Sequence, residues 1–389
     1  MRSVISIPRF EHIPILVRAA LNVPIKDGKI LDDYRLRRAL TTVRFLTHRR
    51  ARVILIGHVG EAGLPAGRQG TETLADVARA LGSHIPHVSF CKESVGAAAR
   101  AAARALPSGH VLVLENLRRH RGETANDPAF AHALAELADV FVQDSFDASH
   151  RPHASIVGIP KILPSYAGLL LEEEVHELEK ARTPKHPALA AIGGMKFSTK
   201  EPALESLVET YDHVFVGGAL ATDFLKAAGM EIGKSLVSAA PDAAIKTLLE
   251  NRKLVLPIDA WVVPALEEGK PDAHRYARLS SIESVRPDEV ILDHGPGTAA
   301  LLAGLAQKAR AVLWNGPLGN YENGFKQGTQ DFARAVADSS ARSVIGGGDT
   351  IAAIEDLGLL PRFSFISTGG GAMLEFLARG TLPGIEALN

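Results

Sequence analysis

Short apolar runs recur along the chain, each followed by a turn and then a stretch with helical spacing. In the first half they are Ile13 to Arg18, Arg52 to Ile56, His87 to Phe90, His110 to Leu114 and Val140 to Val142. In the second half they are Leu189 to Ile192, His213 to Val216, Val290 to Asp293, Ala311 to Trp314, Ser343 to Ile345 and Phe363 to Ser367. Strands that are apolar throughout are buried on both faces, and strands separated by helices pair in parallel. The pattern predicts an α/β protein with two doubly wound parallel sheets, one in each half. Between the halves, Tyr166 to Arg182 carries leucines and glutamates at helical spacing, and Thr183 to Pro187 breaks it with two prolines. The expected division is a first domain over 1–168, a connecting helix over 169–184 and a second domain over 185–372. The alanine-rich run Val95 to Leu106, with Arg100 and Arg104 one turn apart, reads as an ordinary solvated helix rather than a basic binding helix.

Length supports the division, because 389 residues exceed what one hydrophobic core usually serves. Basic and acidic side chains nearly cancel, 43 against 44, so no overall field would hold nucleic acid or an anionic membrane, and any anion site must be local. The single Cys91 cannot form an intramolecular disulfide, no N-terminal stretch has the pattern of a secretory signal, and no apolar run is long enough to span a bilayer. These features predict a soluble cytoplasmic protein that meets small molecules.

The candidate chemistry lies where strands end. In the second half four strands run into glycine: Gly193-Gly194, Gly217-Gly218, Gly346-Gly347-Gly348 and Gly369-Gly370-Gly371. One such pair is explained equally well by a tight turn, but several on the carboxyl edge of a parallel sheet would present helix N-termini and close backbone to phosphates. Asp349 and Thr350 follow the triple glycine, where they would either cap a helix or offer hard oxygen ligands to magnesium and a phosphate. Lys196 and Lys200 would share a face if a helix begins there, and two solvated lysines are the alternative. Gly229 to Ser235 imitates a P-loop, but it has three residues between the glycines where four are needed and follows a helix-like stretch. In the first half Arg35, His58, Arg118 and the run His150-Arg151-Pro152-His153 stand after strands. Each alone is more often a surface charge or a satisfied histidine; on one sheet edge together they would suit a carboxylate or phosphate.

These stretches, in order, resemble the phosphoglycerate kinase family over nearly the whole chain. The matching segments are Asn22-Val23-Pro24, Glu115-Asn116-Leu117-Arg118, His150-Arg151-Pro152-His153, Gly193-Gly194-Met195-Lys196 and Ile232-Gly233-Lys234-Ser235-Leu236. Trp314-Asn315-Gly316-Pro317, Gly346-Gly347-Gly348-Asp349-Thr350 and Ser367-Thr368-Gly369-Gly370-Gly371 complete the series. The resemblance implies a monomeric hinge-bending transferase of glycolysis, with two Rossmann-like domains facing each other across a cleft and the tail 373–389 crossing back to the first. It implies reversible phosphoryl transfer between 1,3-bisphosphoglycerate and Mg-ADP, giving 3-phosphoglycerate and Mg-ATP.

By position, Arg35, Lys196, Gly370 and Gly371 would serve the phosphoryl group in flight, and Asn22, Arg35, His58, Arg118 and Arg151 the acceptor. Gly194, Lys200, Gly217, Gly218, Asn315, Pro317, Glu322, Gly348, Asp349 and Thr350 would hold the nucleotide, with Asp349 orienting magnesium and Glu322 reaching the ribose. The first half departs from the family pattern at three places. Ala20 stands where the family has an aspartate, Glu61 replaces an arginine, and Gln143-Asp144-Ser145-Phe146-Asp147 adds an acidic group at Asp147. Arg119 or Arg68 would be the replacement for the lost arginine. The departures leave open a weak or silent nucleotide-binding paralogue, or a kinase for another small carboxylate.

Overall fold

The structure, a computed structural model, describes residues 1–26, 28–60, 72–238, 242–269 and 273–389. Its strands are β1 Pro14–Ala19, β2 Ile25–Lys26, β3 Lys29–Ile30, β4 Arg52–Ile56, β5 Val88–Cys91, β6 Val111–Leu114, β7 Val140–Asp144 and β8 Ser165–Ala167, followed by β9 Ala188–Ile192, β10 His213–Val216, β11 Leu254–Val255, β12 Asp259–Pro264, β13 Arg278–Ser281, β14 Glu289–His294, β15 Ala311–Asn315, β16 Arg342–Gly346 and β17 Phe365–Ile366. The chain divides into two compact units, one made of Met1–His176 with Thr381–Asn389 and the other of Glu177–Gly380.

In the first unit the sheet order is β5-β6-β4-β1-β7-β8, with every neighbouring pair parallel. Its strands feed two cores at once. Ile15, Val17, Val53 and Leu55 pack with Leu36, Val43 and Leu46 of the helix Tyr34–His48. Leu16, Ile54 and Ile56 point the other way, onto Ala99 and Ala103 of the helix Gly96–Ala105 and Phe130 of the helix Pro128–Ala135. Alternation of side chains between two covered faces is the reason these runs are apolar at every position. Tyr166, expected in the connecting helix, belongs instead to β8, and the helix runs Leu169–Arg182. The tail joins this unit through its last residues, where the Gly384 amide donates to the Ser149 carbonyl at 2.8 Å.

The second unit carries a parallel sheet ordered β11-β10-β9-β15-β16-β17 and a separate antiparallel sheet ordered β13-β12-β14. β14 includes the run Val290 to Asp293 that the apolar pattern placed in a parallel sheet; it pairs antiparallel with β12 instead. Parallel pairing needs a crossover connection, usually a helix, and the described residues between β12 and β14 hold only β13 and short 3-10 turns. Among the described residues no helix is long and apolar enough to cross a membrane.

Candidate active site

All four glycine groups of the second unit follow strands of one parallel sheet, so they share its carboxyl edge: Gly193-Gly194 after β9, Gly217-Gly218 after β10, Gly346 to Gly348 at β16 and Gly369 to Gly371 after β17. Their spacing is dictated by backbone contact. A methyl group on Gly193 would collide with the Pro317 carbonyl oxygen, and Gly347 adopts φ 100°, where only glycine is unstrained. Asn315, buried at the end of β15, ties the edge together. Its Oδ1 accepts from Lys200 Nζ at 3.2 Å and its Nδ2 donates to the Gly370 carbonyl at 3.2 Å. Burial pushes the Lys200 ammonium down to about 8, against the opposing pull of Asp349. Thr350 is fully buried, and its hydroxyl oxygen accepts from the Gly316 amide at 2.9 Å. Gly370 opens the helix Gly370–Arg379, and Asp349 lies exposed in the first turn of the helix Gly348–Glu355.

Beside this edge lies a cavity of about 320 Å³ lined by Gly194, Gly218, Pro317, Glu322 and Asp349. Its walls also include Leu236 and, from separated helices and strands that sequence reasoning did not single out as a site, Leu225, Ile282 and Leu292. An apolar slot beside a row of backbone amides and a half-buried lysine has the two parts a nucleotide requires, a place for a flat base and a place for phosphates.

Two sequence readings in this unit resolve differently. Lys196 and Lys200 do not share a helical face, because Phe197, fully buried, turns the chain through the 3-10 segment Phe197–Thr199 and the α-helix begins only at Glu201, with Pro202 in its first turn. Lys196 is exposed in extended backbone, while Lys200 is drawn in to Asn315. The P-loop imitation is a structural loop: the Lys234 amide donates to the Glu289 carbonyl at 2.7 Å and Ser235 Oγ accepts from the Ile291 amide at 2.9 Å.

The first unit gathers positive groups at the carboxyl edge of its own sheet. Arg35 Nη1 donates to the Asn22 carbonyl at 2.9 Å, Asn22 Oδ1 accepts from the Gly60 amide at 3.1 Å, and the Gly60 carbonyl accepts from Arg118 Nη1 at 2.6 Å. A second guanidinium, Arg18, is almost completely buried; its Nη2 donates to His58 Nδ1 at 2.8 Å, its Nε to Ser155 Oγ at 3.0 Å and its Nη1 to the Ala19 carbonyl at 2.9 Å. Burial, then Arg18, Arg118, Arg151 and His153, hold His58 well below the usual imidazole range. His58 is therefore neutral, accepting at Nδ1 and carrying its proton at Nε2. Arg118 is pushed down to about 10 by burial and by the neighbouring Arg151 and Arg18. Arg151 Nη1 is buried without a hydrogen-bond partner. Guanidiniums crowded this closely, with a buried donor left over, describe a site that is completed by an anion.

Sequence reasoning missed Arg18 and the carboxylates behind it. Ser155 donates to Glu123 Oε1 at 2.5 Å while its backbone amide donates to Oε2 at 3.0 Å, so Glu123 anchors the Arg18 network from below. The available signal was one charged residue at the end of an otherwise apolar strand. A strand buried on both faces keeps an arginine only if it is paired or used. Of the proposed replacements, Arg119 is engaged with Glu115 at 3.0 Å, while Glu61 and Arg68 lie outside the described residues. Ala20 is buried, leaving no carboxylate at that strand end.

Amide-rich sheet edge with a desolvated lysine in one unit, guanidinium cluster in the other: the class is an α/β phosphotransferase. The family model described as phosphoglycerate kinase matches residues 7–379. Among curated relatives, phosphoglycerate kinase of Xanthobacter flavus is 41% identical over 386 residues, covering 96% of this chain and 95% of that protein. Phosphoglycerate kinase of Rubrobacter xylanophilus is 43% identical over 380 residues, with 96% and 95% covered. Among solved structures, phosphoglycerate kinase from Coxiella burnetii superposes with a TM-score of 0.82 at 37% identity, covering 99% of this chain and 98% of its own. The enzyme from Pyrococcus horikoshii OT3 gives 0.87 at 30% identity, with 100% and 98% covered. The chain belongs to the phosphoglycerate kinase family.

Proposed function

We propose that the chain catalyses reversible phosphoryl transfer between 1,3-bisphosphoglycerate and ADP, giving 3-phosphoglycerate and ATP, as a cytoplasmic monomer. The first unit takes the acceptor and the second the nucleotide. The observation that carries this reading is the Arg18–His58–Arg118–Arg151 cluster, whose buried Arg151 Nη1 has no hydrogen-bond partner and whose neutral His58 accepts from Arg18 at Nδ1 and so carries its proton at Nε2. Asn22, His58, Arg118 and Arg151 hold the phosphorylated carboxylate, with Arg18 supporting them. Arg35 and Lys196 neutralise charge on the phosphoryl group in transit, and the Gly370 and Gly371 amides at a helix start add backbone donors.

In the nucleotide unit Lys200, Asn315, Gly348 and Thr350 meet phosphates, while Gly194, Gly217, Gly218 and Pro317 form the close backbone wall. Glu322, exposed at the cavity mouth, reaches the ribose. Magnesium fits this donor set, since a single exposed carboxylate at a helix start, Asp349, is what an ion carried in on phosphates needs from a protein. When bound, it spreads the phosphate charge. Because phosphoryl transfer needs little covalent help, positioning and charge stabilisation by these groups account for the chemistry.

Protection against heat tests the assignment of ligands. ATP with magnesium and 3-phosphoglycerate should each raise the unfolding temperature of the intact protein, and Arg118→Met should abolish protection by 3-phosphoglycerate alone. Protection by ATP but none by millimolar 3-phosphoglycerate in the unaltered protein would refute the acceptor.

A further inference from the structure

The acceptor cluster contains a carboxylate of its own. Asp147, half-buried in the 3-10 turn Phe146–Ala148 after β7, accepts from Ser145 Oγ at 2.5 Å, and the same Ser145 oxygen lies 3.4 Å from Arg18 Nη1. Its negative charge acts on both Arg18 and Arg118. We propose that Asp147 is a specificity-determining residue of the acceptor site, a built-in counter-anion that weakens the hold of the guanidinium cluster on phosphorylated ligands. The inference rests on the acceptor reading given above.

The charges explain why. His58 is neutral, and although His153 Nδ1 lies 3.8 Å from Glu123, burial and then Arg151, Arg18 and Arg118 push it down to about 4, so it is neutral too. The positive charge therefore comes from the guanidiniums of Arg18, Arg118 and Arg151. Glu123 offsets one from behind, committed to the Ser155 amide and hydroxyl. Asp147 offsets another. Unlike Glu123 it is not fully buried, and it is joined to Arg18 only through the Ser145 hydroxyl that both of them bond, so an incoming dianion meets its field directly. The neighbouring strand gives no second carboxylate, because Ala19, which pairs with Asp144 in the sheet, is followed by Ala20. Removing one unit charge from the surroundings of such a cluster is worth about twofold to thirtyfold in affinity for an anionic ligand in partly screened surroundings. A ligand with fewer charges gains less.

Asp147→Asn in the full-length protein tests the proposal. The KM for 3-phosphoglycerate and, independently of turnover, the calorimetric Kd for 3-phosphoglycerate and for inorganic phosphate are measured at two salt concentrations. Asp139→Asn, an exposed carboxylate outside the cluster, controls for net charge. The expected result is that both constants for 3-phosphoglycerate, and the Kd for phosphate, fall at least about threefold with a steeper salt dependence, while Asp139→Asn moves neither. Loss of a merely structural contact would weaken binding, not tighten it. Constants that stay level or rise overturn the proposal, a rise meaning that Asp147 contacts the ligand. Absence of turnover in the unaltered protein would count against the kinase reading instead, and the phosphate-binding arm would still decide the role of Asp147.

Discussion

Lys200 should couple nucleotide binding to a proton. Its amine is taken from an ordinary 10.5 down to about 8, by burial first, with Asp349 opposing. Phosphates arriving beside it favour the charged form and return its pKa toward the ordinary value. ATP therefore binds the protonated amine, and its affinity should fall as pH rises through about 8. With the free amine about nine-tenths protonated at pH 7 and about one-tenth at pH 9, the expected loss of affinity between them is about tenfold. At pH 8.5 about 0.75 proton should be taken up per ATP bound, at a pH where the terminal phosphate is already ionised. Calorimetry in buffers of different ionisation enthalpy measures the uptake directly. The sign for stability runs the other way: between the folded value near 8 and the unfolded 10.5 the unfolded chain binds more protons, so ligand-free stability rises with pH across that window and the cost is complete below it. Lys200→Met should remove this cost, which is at most about 3 kcal/mol at neutral pH, and should abolish both proton uptake and most ATP affinity. Affinity independent of pH between 7 and 9, or uptake that persists in Lys200→Met, would refute the argument.

Other expectations follow from single residues. Lys196→Ala should reduce turnover about a hundredfold or more while ATP still protects against heat, since in the proposed reaction the exposed Lys196 would contribute charge rather than support to the cavity. Gly193→Ala should destabilise the protein by about 1–3 kcal/mol in denaturant titration, because the added methyl strikes the backbone carbonyls of Pro317 and Gly316 rather than a flexible side chain. Asp144, raised to about 7 by burial, keeps its proton in the folded state at pH values where the unfolded chain has lost it. Stability should consequently fall as pH rises from about 4 to 7, by up to about 4 kcal/mol from this group, and the difference between the unaltered protein and Asp144→Asn should follow that curve.

Much of this architecture is written in the chain. The uniformly apolar runs marked the strands of both parallel sheets because each strand feeds two cores, and the glycines that end them stood out because backbone approaches backbone there, as at Gly193 and Pro317. What the pattern could not give was partnership. β14 has the same apolar texture as the parallel strands, and only the lack of a crossover helix sends it to an antiparallel sheet. Lys196 and Lys200 have helical spacing, yet the burial of Phe197 decides that they part. Arg35, Asn22, His58, Arg118 and Arg151 were visible one by one as polar residues after strands, but Arg18 was hidden inside a strand, and its network runs to Ser155 and Glu123, far away in sequence. Charge balance is likewise a property of the assembled edge. Asp147 looks like an extra surface acid until its field on Arg18 and Arg118 is known.

If the guanidinium edge of one unit and the amide edge of the other serve a single reaction, steady-state transfer from ATP to 3-phosphoglycerate, followed by coupled reduction of the acyl-phosphate product, will show it. Saturable turnover that disappears in both Arg35→Ala and Lys196→Ala is the predicted outcome. Turnover of the unaltered protein no faster than that of Lys196→Ala, with ATP binding intact, would contradict it.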